Sequence, residues 1–198
     1  MKKFIFSFCF GLLSLAASAS SHVNGVDQGP EKSVEKKDRG KMAEARVGLS
    51  WGVNFAKMSL KGGSSDSEAK FLNFGLEYIS PVFKSGLDFS YGLEWQTKGA
   101  KGWDPGILQF PITIGYNVYC NDNVRLTVVT GPQIGALCAG DDVDSDALKT
   151  FQASWFFGGR ILIKNLYLKV GYDLGLTDAM KGGKSKMNAV ALRVGYAF

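Results

Sequence analysis

The sequence predicts an all-β protein, an eight-stranded antiparallel up-and-down β-barrel that crosses a membrane, and three observations predict it. From Ala45 onward a period-two alternation recurs about eight times with turn-rich breaks between. One parity of that alternation is bulky and apolar, while the other carries the charges and nearly all of the strand glycines. The connections between successive segments alternate long and short.

Composition sets the frame. The chain has 198 residues, a net charge of +5, 45% hydrophobic residues and 25 glycines, which suits one domain and exceeds the usual glycine share of about 7%. The segment "MKKFIFSFCFGLLSLAASAS" has a basic start (Lys2, Lys3), an apolar stretch from Phe4 to Leu15 and small residues at Ala17 and Ala19. That is the build of a secretory signal peptide, predicted at 1–19, and its apolar run is too short for a membrane anchor. Cys9 follows Phe8 inside the apolar stretch, which argues against a lipoprotein. Loss of Lys2 and Lys3 lowers the net charge from +5 to +3, a mild excess that argues against nucleic acid as a partner. Residues 20–44 mix charges of both signs with few large apolar side chains and predict a disordered periplasmic leader. The barrel is predicted over 45–198.

The predicted strands are 45–58, 70–80, 87–98, 106–119, 124–137, 150–164, 166–177 and 186–198. Their apolar parity takes Val47, Leu49, Trp51, Val53 and Phe55 in the first strand. It takes Leu72, Phe74, Leu76 and Tyr78 in the second, and Leu87, Phe89, Tyr91, Leu93 and Trp95 in the third. It continues the same way to Leu192, Val194, Tyr196 and Phe198 at the end, and the face so traced carries no charge. The opposite parity holds Asn54, Asn73, Glu77, Asp88, Glu94, Gln109, Arg125, Gln133, Arg160, Lys169, Asp173 and Arg193. It also takes the strand glycines from Gly48 to Gly195, with Gly159 as the exception.

The glycine bias decides which face points inward. Bulky side chains on all eight strands would overfill the lumen of a small soluble barrel. Turned outward they meet lipid, and the narrow interior is filled by glycine, small polar groups and pairable charges. Closure removes the unpaired strand edges that hydrocarbon does not tolerate. Long connections follow the first, third, fifth and seventh strands and short ones the second, fourth and sixth. An outer-membrane barrel has its short turns in the periplasm and its long loops outside.

The segments "YGLEWQTKGAKGW", "LQFPITIGYNVYC", "TVVTGPQIGAL" and "YDLGLTDA" resemble recurring strands of the PorT-like outer-membrane β-barrel domain. That domain is common in small OmpX-like "porin family" proteins. The matching motifs fall at Gln96 to Lys101, Phe110 and Pro111, Thr130 to Gly135, and Tyr172 to Thr177, and the resemblance covers roughly 45–198. It implies an eight-stranded barrel in the cell outer membrane of a Gram-negative bacterium. It does not imply one biochemical activity, and a barrel of eight strands is too narrow for an open aqueous channel.

Candidate chemistry is sparse. Hydrolytic sites generally use a histidine beside a nucleophile or acid. The one histidine is His22, in the leader, so a histidine-dependent site on the barrel is excluded and no enzyme activity is expected. No cofactor or metal is expected either. The acidic stretch Asp141, Asp142, Asp144 and Asp146 lacks the glycine and distal glutamate of an EF-hand loop, and whether it binds calcium stays open. Cys120 and Cys138 would stand at opposite ends of a strand, roughly 40 Å apart at about 3.3 Å per residue, too far for a disulfide.

Buried charges must be paired. Asp173, Arg160, Arg193, Glu94, Glu77 and Lys169 are therefore expected to form a structural salt-bridge cluster in the lumen, with Asp173 between Arg160 and Arg193. The ending "ALRVGYAF" resembles the signal read by the barrel-assembly machinery, which implies that role for Tyr196 and Phe198. The expected function is that of a structural or interaction protein acting through its surface loops, with outer-membrane lipid and the assembly machinery as partners. An extracellular or secretion-system protein partner stays open. The alternatives are an accessory factor for protein secretion or outer-membrane assembly, by the PorT resemblance, and a small-ligand-binding barrel.

Overall fold

The computed structural model describes residues 43–60, 63–64, 66–99, 103–139, 149–181 and 185–198. The expected signal peptide, the leader up to residue 42 and the acidic stretch at 141–146 lie outside the described residues. Eight long strands follow one another: β1 (Arg46–Leu60), β2 (Glu68–Ile79), β3 (Leu87–Thr97), β4 (Gly106–Cys120), β5 (Val124–Ala139), β6 (Phe151–Ile163), β7 (Leu166–Gly175) and β8 (Ser185–Ala197). Each pairs antiparallel with the next, and β1 pairs with β8 from Gly48↔Ala197 to Leu60↔Ser185, which closes the barrel. A two-residue pairing at Gly63–Ser64 extends the end of β1.

Alternation places the side chains as expected over most of the wall. Trp51, Phe74, Phe89, Ile112, Val128, Phe157, Tyr172 and Val194 are exposed on the outside, whereas Asn54, Glu77, Asp88, Gln133, Arg160, Lys169 and Arg193 are buried inside. Three bulges break strict alternation. In β2, Gly52 pairs with Asn73 but Asn54 pairs with Lys70, so one extra residue stands on β2. Phe71 and Leu72 consequently both point outward and Lys70 turns in, 4% exposed. Strict parity would have set that lysine on the lipid-facing side. A second bulge, at Asn117/Tyr119, leaves Val118 and Tyr119 both exposed.

The outward face is not free of charge along its whole height. Lys57 continues the parity of Phe55 and is exposed, and Lys186 is exposed nearby on β8. Both sit at the long-loop end, where the strands run past the apolar band.

The turns at the other end are 80–86, 121–123 and 164–165. The first is as long as the loop at 61–67, because it is a folded unit that receives the incoming chain. Val82 N donates to Ala43 O at 2.8 Å and Gly86, at φ 84°, donates from its N to Phe83 O at 2.9 Å. Lys164, at φ 53°, belongs to a two-residue turn rather than to the strand expected there.

Candidate functional site: the charged lumen

Apolar clusters close the lumen at both ends. Ile79, Leu162, Tyr167 and Ala197 pack with Cys120 near the short turns. Met58, Trp103, Ile107, Ala179 and Met187 pack with Leu137 and Met180 near the long loops. Between them lies a layer of polar side chains with Val129, Phe156 and Ala191 in its midst. The space left beside Glu94, Phe156, Asp173 and Arg193 is about 10 Å³, the scale of one water molecule.

Most of the charges at mid-height are divided by wall. Glu77, Asp88 and Glu94 come from β2 and β3, whereas Arg125, Arg160, Lys169 and Arg193 come from β5 to β8. Ion pairs therefore cross the lumen. Arg160 donates to Glu77 Oε1 at 3.2 Å, to Asp88 Oδ1 at 2.6 Å and to Ser90 Oγ at 3.0 Å. Asp88 also accepts from the Arg125 guanidinium, and Asn117 Nδ2 donates to it at 2.9 Å. Lys169 reaches Glu77 Oε2 at 3.0 Å and Glu94 Oε1 at 3.6 Å. Arg193 stands 3.9 Å from Glu94 Oε2, and its Nη1 donates to Val53 O at 3.3 Å.

Asp173 does not meet Arg160 or Arg193. Register explains this: Asp173 is level with Phe156 and Ala189, while Lys169 is level with Arg160 and Arg193. That offset is four residues, roughly 13 Å of strand at about 3.3 Å per residue. The partner of Asp173 is Lys98, whose Nζ stands 2.5 Å from Oδ2 and 3.1 Å from Gln109 Oε1. Lys98 follows β3 on the parity of Glu94 and Gln96, so its inward direction was readable, but its reach across the lumen was not.

Two aromatic residues also stand in the interior, Phe156 on the inward parity of Arg160 and Tyr167 on that of Lys169. The Tyr167 hydroxyl donates to Glu77 Oε2 at 2.6 Å, and the Lys169 ammonium lies 5.0 Å from the centre of the Phe156 ring, within cation–π range. Glycine makes room for both rings. A Cβ on Gly48 would stand 3.2 Å from the Tyr167 ring, and one on Gly171 would stand 2.5 Å from Phe156 Cζ.

At the end of β8, Tyr196 and Phe198 are exposed on the outer wall with ring centroids 4.9 Å apart. Phe198 N donates to Val47 O at 2.8 Å, so the last residue is joined to the first strand. Cys120 and Cys138 are not joined in a disulfide.

A closed eight-stranded barrel with bulky apolar side chains outside and paired charges inside defines a class, that of the small outer-membrane β-barrels. No protein-family model matches the chain, and no curated protein matches it significantly. Solved structures do. Neisserial surface protein A (NspA) superposes with a TM-score of 0.51 at 14% identity, over 78% of this chain and 97% of that one. The Ail attachment invasion locus protein of Yersinia pestis superposes at 0.41 and 16% identity, over 78% and 99%. The N-terminal barrel domain of Pseudomonas aeruginosa OprF does so at 0.41 and 10%, over 78% and 98%. The NspA likeness supports the fold.

Proposed function

We propose that this protein is an integral outer-membrane barrel whose interior is a structural filling and whose long loops form its working surface. The observation that carries this reading is the lumen: crossed ion pairs lie between two apolar clusters, and the cavity beside Glu94, Phe156, Asp173 and Arg193 is on the scale of one water molecule. An interior packed in this way, among the described residues, suits neither an open channel nor a sizeable ligand, which leaves the long loops for recognition. The long loops face outward and the turns at 80–86, 121–123 and 164–165 face the periplasm, as befits a chain exported by the signal peptide at 1–19. The apolar wall takes membrane lipid as its partner. The six charged residues first grouped in the lumen act in stability, together with Lys98, Asp88 and Arg125, and not in chemistry. Tyr196 and Phe198 serve recognition by the assembly machinery.

Fractionation of cells with an unboiled gel tests this. The chain is expected in the outer-membrane fraction as a band whose migration changes on boiling. A soluble or periplasmic chain would overturn the reading. The PorT-like segments support a second role, as an accessory of secretion, and a deletion strain scored for secreted protein tests it.

A further inference from the structure

The wall is split between β2 and β3. The ladder between β2 and β3 stops at Phe74↔Trp95, although β2 goes on pairing with β1 to Glu68 and β3 with β4 to Thr97. Side chains span the gap in place of a ladder: Thr97 N donates to Asn73 Oδ1 at 2.9 Å and Thr97 Oγ1 to Leu72 O at 3.3 Å. Beside these bridges a cleft of about 320 Å³ is lined by Phe71, Leu72 and Trp95 on its apolar side and by Lys70, Thr97 and Asp104 on its polar side. The bulge in β2 shapes it, since it turns Phe71 and Leu72 outward together, 61% and 60% exposed. Unpaired strand edges at the level of hydrocarbon need a cover, and the volume lies within the range of ligand sites.

We propose that this cleft binds one acyl chain of an outer-leaflet lipid, with the uncharged ester, amide or hydroxyl portion of its head at the Lys70–Thr97 end. The proposal rests on the membrane reading above. Phe71 and Leu72 are continuous with the lipid-facing wall, so a chain lying in the bilayer reaches them without leaving hydrocarbon. Charge selects the head. Lys70 pairs with Glu68 Oε2 at 2.5 Å and also with Asp104, so among the described residues that line the polar end one cation meets two carboxylates. A phosphate stays clear of the two carboxylates, and the neutral ester or amide that joins the chain to its head sits beside the Thr97 hydroxyl.

The full-length chain is moved from vesicles of equal phosphatidylethanolamine and phosphatidylglycerol into mild detergent, and native mass spectra count the lipids it retains. The wild type is expected to keep one lipid. Ala69→Trp, which fills the cleft, is expected to retain at least fivefold less, and Phe71→Ala, which removes one wall, also less. Val190→Trp, on the lipid-facing side of β8, is expected to retain as much as the wild type. No retained lipid in the wild type, equal retention in Ala69→Trp and Phe71→Ala, or equal loss in Val190→Trp overturns the proposal. Gel migration and fractionation are read on the same samples: an unfolded or soluble wild type defeats the membrane reading, while a folded, inserted wild type that keeps no lipid defeats only this one.

Discussion

Asp173 and Lys98 are both buried, 0% and 2% exposed, so each charge depends on the other for compensation. Asp173→Ala leaves the ammonium stranded, and a loss of about 3–5 kcal/mol is expected. Reversible urea unfolding of the lipid-inserted barrel measures it, and an unchanged midpoint would sink the pairing. Replacing both residues, as in Asp173→Leu with Lys98→Met, is expected to recover most of that loss, because an apolar pair of similar volume carries no desolvation cost. Glycines offer a second test at this scale. A Cβ on Gly115 would stand 2.4 Å from Asp88 Oδ1 and 2.5 Å from Thr127 Cγ2, whereas one on Gly159, outside, meets only Thr127 O at 3.8 Å. Gly115→Ala should therefore cost about 1–3 kcal/mol by overpacking, and Gly159→Ala should be neutral or stabilising in the same unfolding measurement.

Strands carry the next level. The bounds of all eight long strands were readable to within two residues at both ends, because the alternation is long and the breaks are rich in turn residues. The β2 bulge was not readable: "KFLNF" has the same composition with or without an extra residue, and only pairing with β1 on one side and contact with Asp104 on the other turn Lys70 inward. Deleting Phe71 restores strict alternation with Lys70 still inward, level with Asn54, so its ion pairs are kept. An unfolding midpoint close to that of the wild type is expected, and a large fall would show that the bulge itself is needed for stability. At the other end of the chain, Phe198→Ala is expected to slow assembly in cells, seen as a smaller heat-modifiable fraction, with little change in the midpoint of barrel that has already folded. Its ring is exposed, so little packing is lost. A matching fall in midpoint would assign Phe198 to stability rather than to assembly.

For the molecule as a whole, the lumen clusters predict that the purified chain in planar bilayers gives no large, steady conductance. A lasting open pore would contradict them. Barrel closure and sidedness of the wall were legible in the sequence, since a period of two and a glycine-rich parity are local properties that every strand repeats. Most of the inward charges were legible for the same reason, Lys70 at the β2 bulge being the exception. Which charge meets which was not. That depends on strand register and on which strands stand opposite across the lumen, so Asp173 finds Lys98, Arg160 finds Glu77 and Asp88, and Phe156 and Tyr167 fill space beside glycines. The split between β2 and β3 likewise belongs to tertiary structure alone. Alternation tells a side chain which face of the wall to take, but height and opposition within a closed barrel are set by all eight strands together.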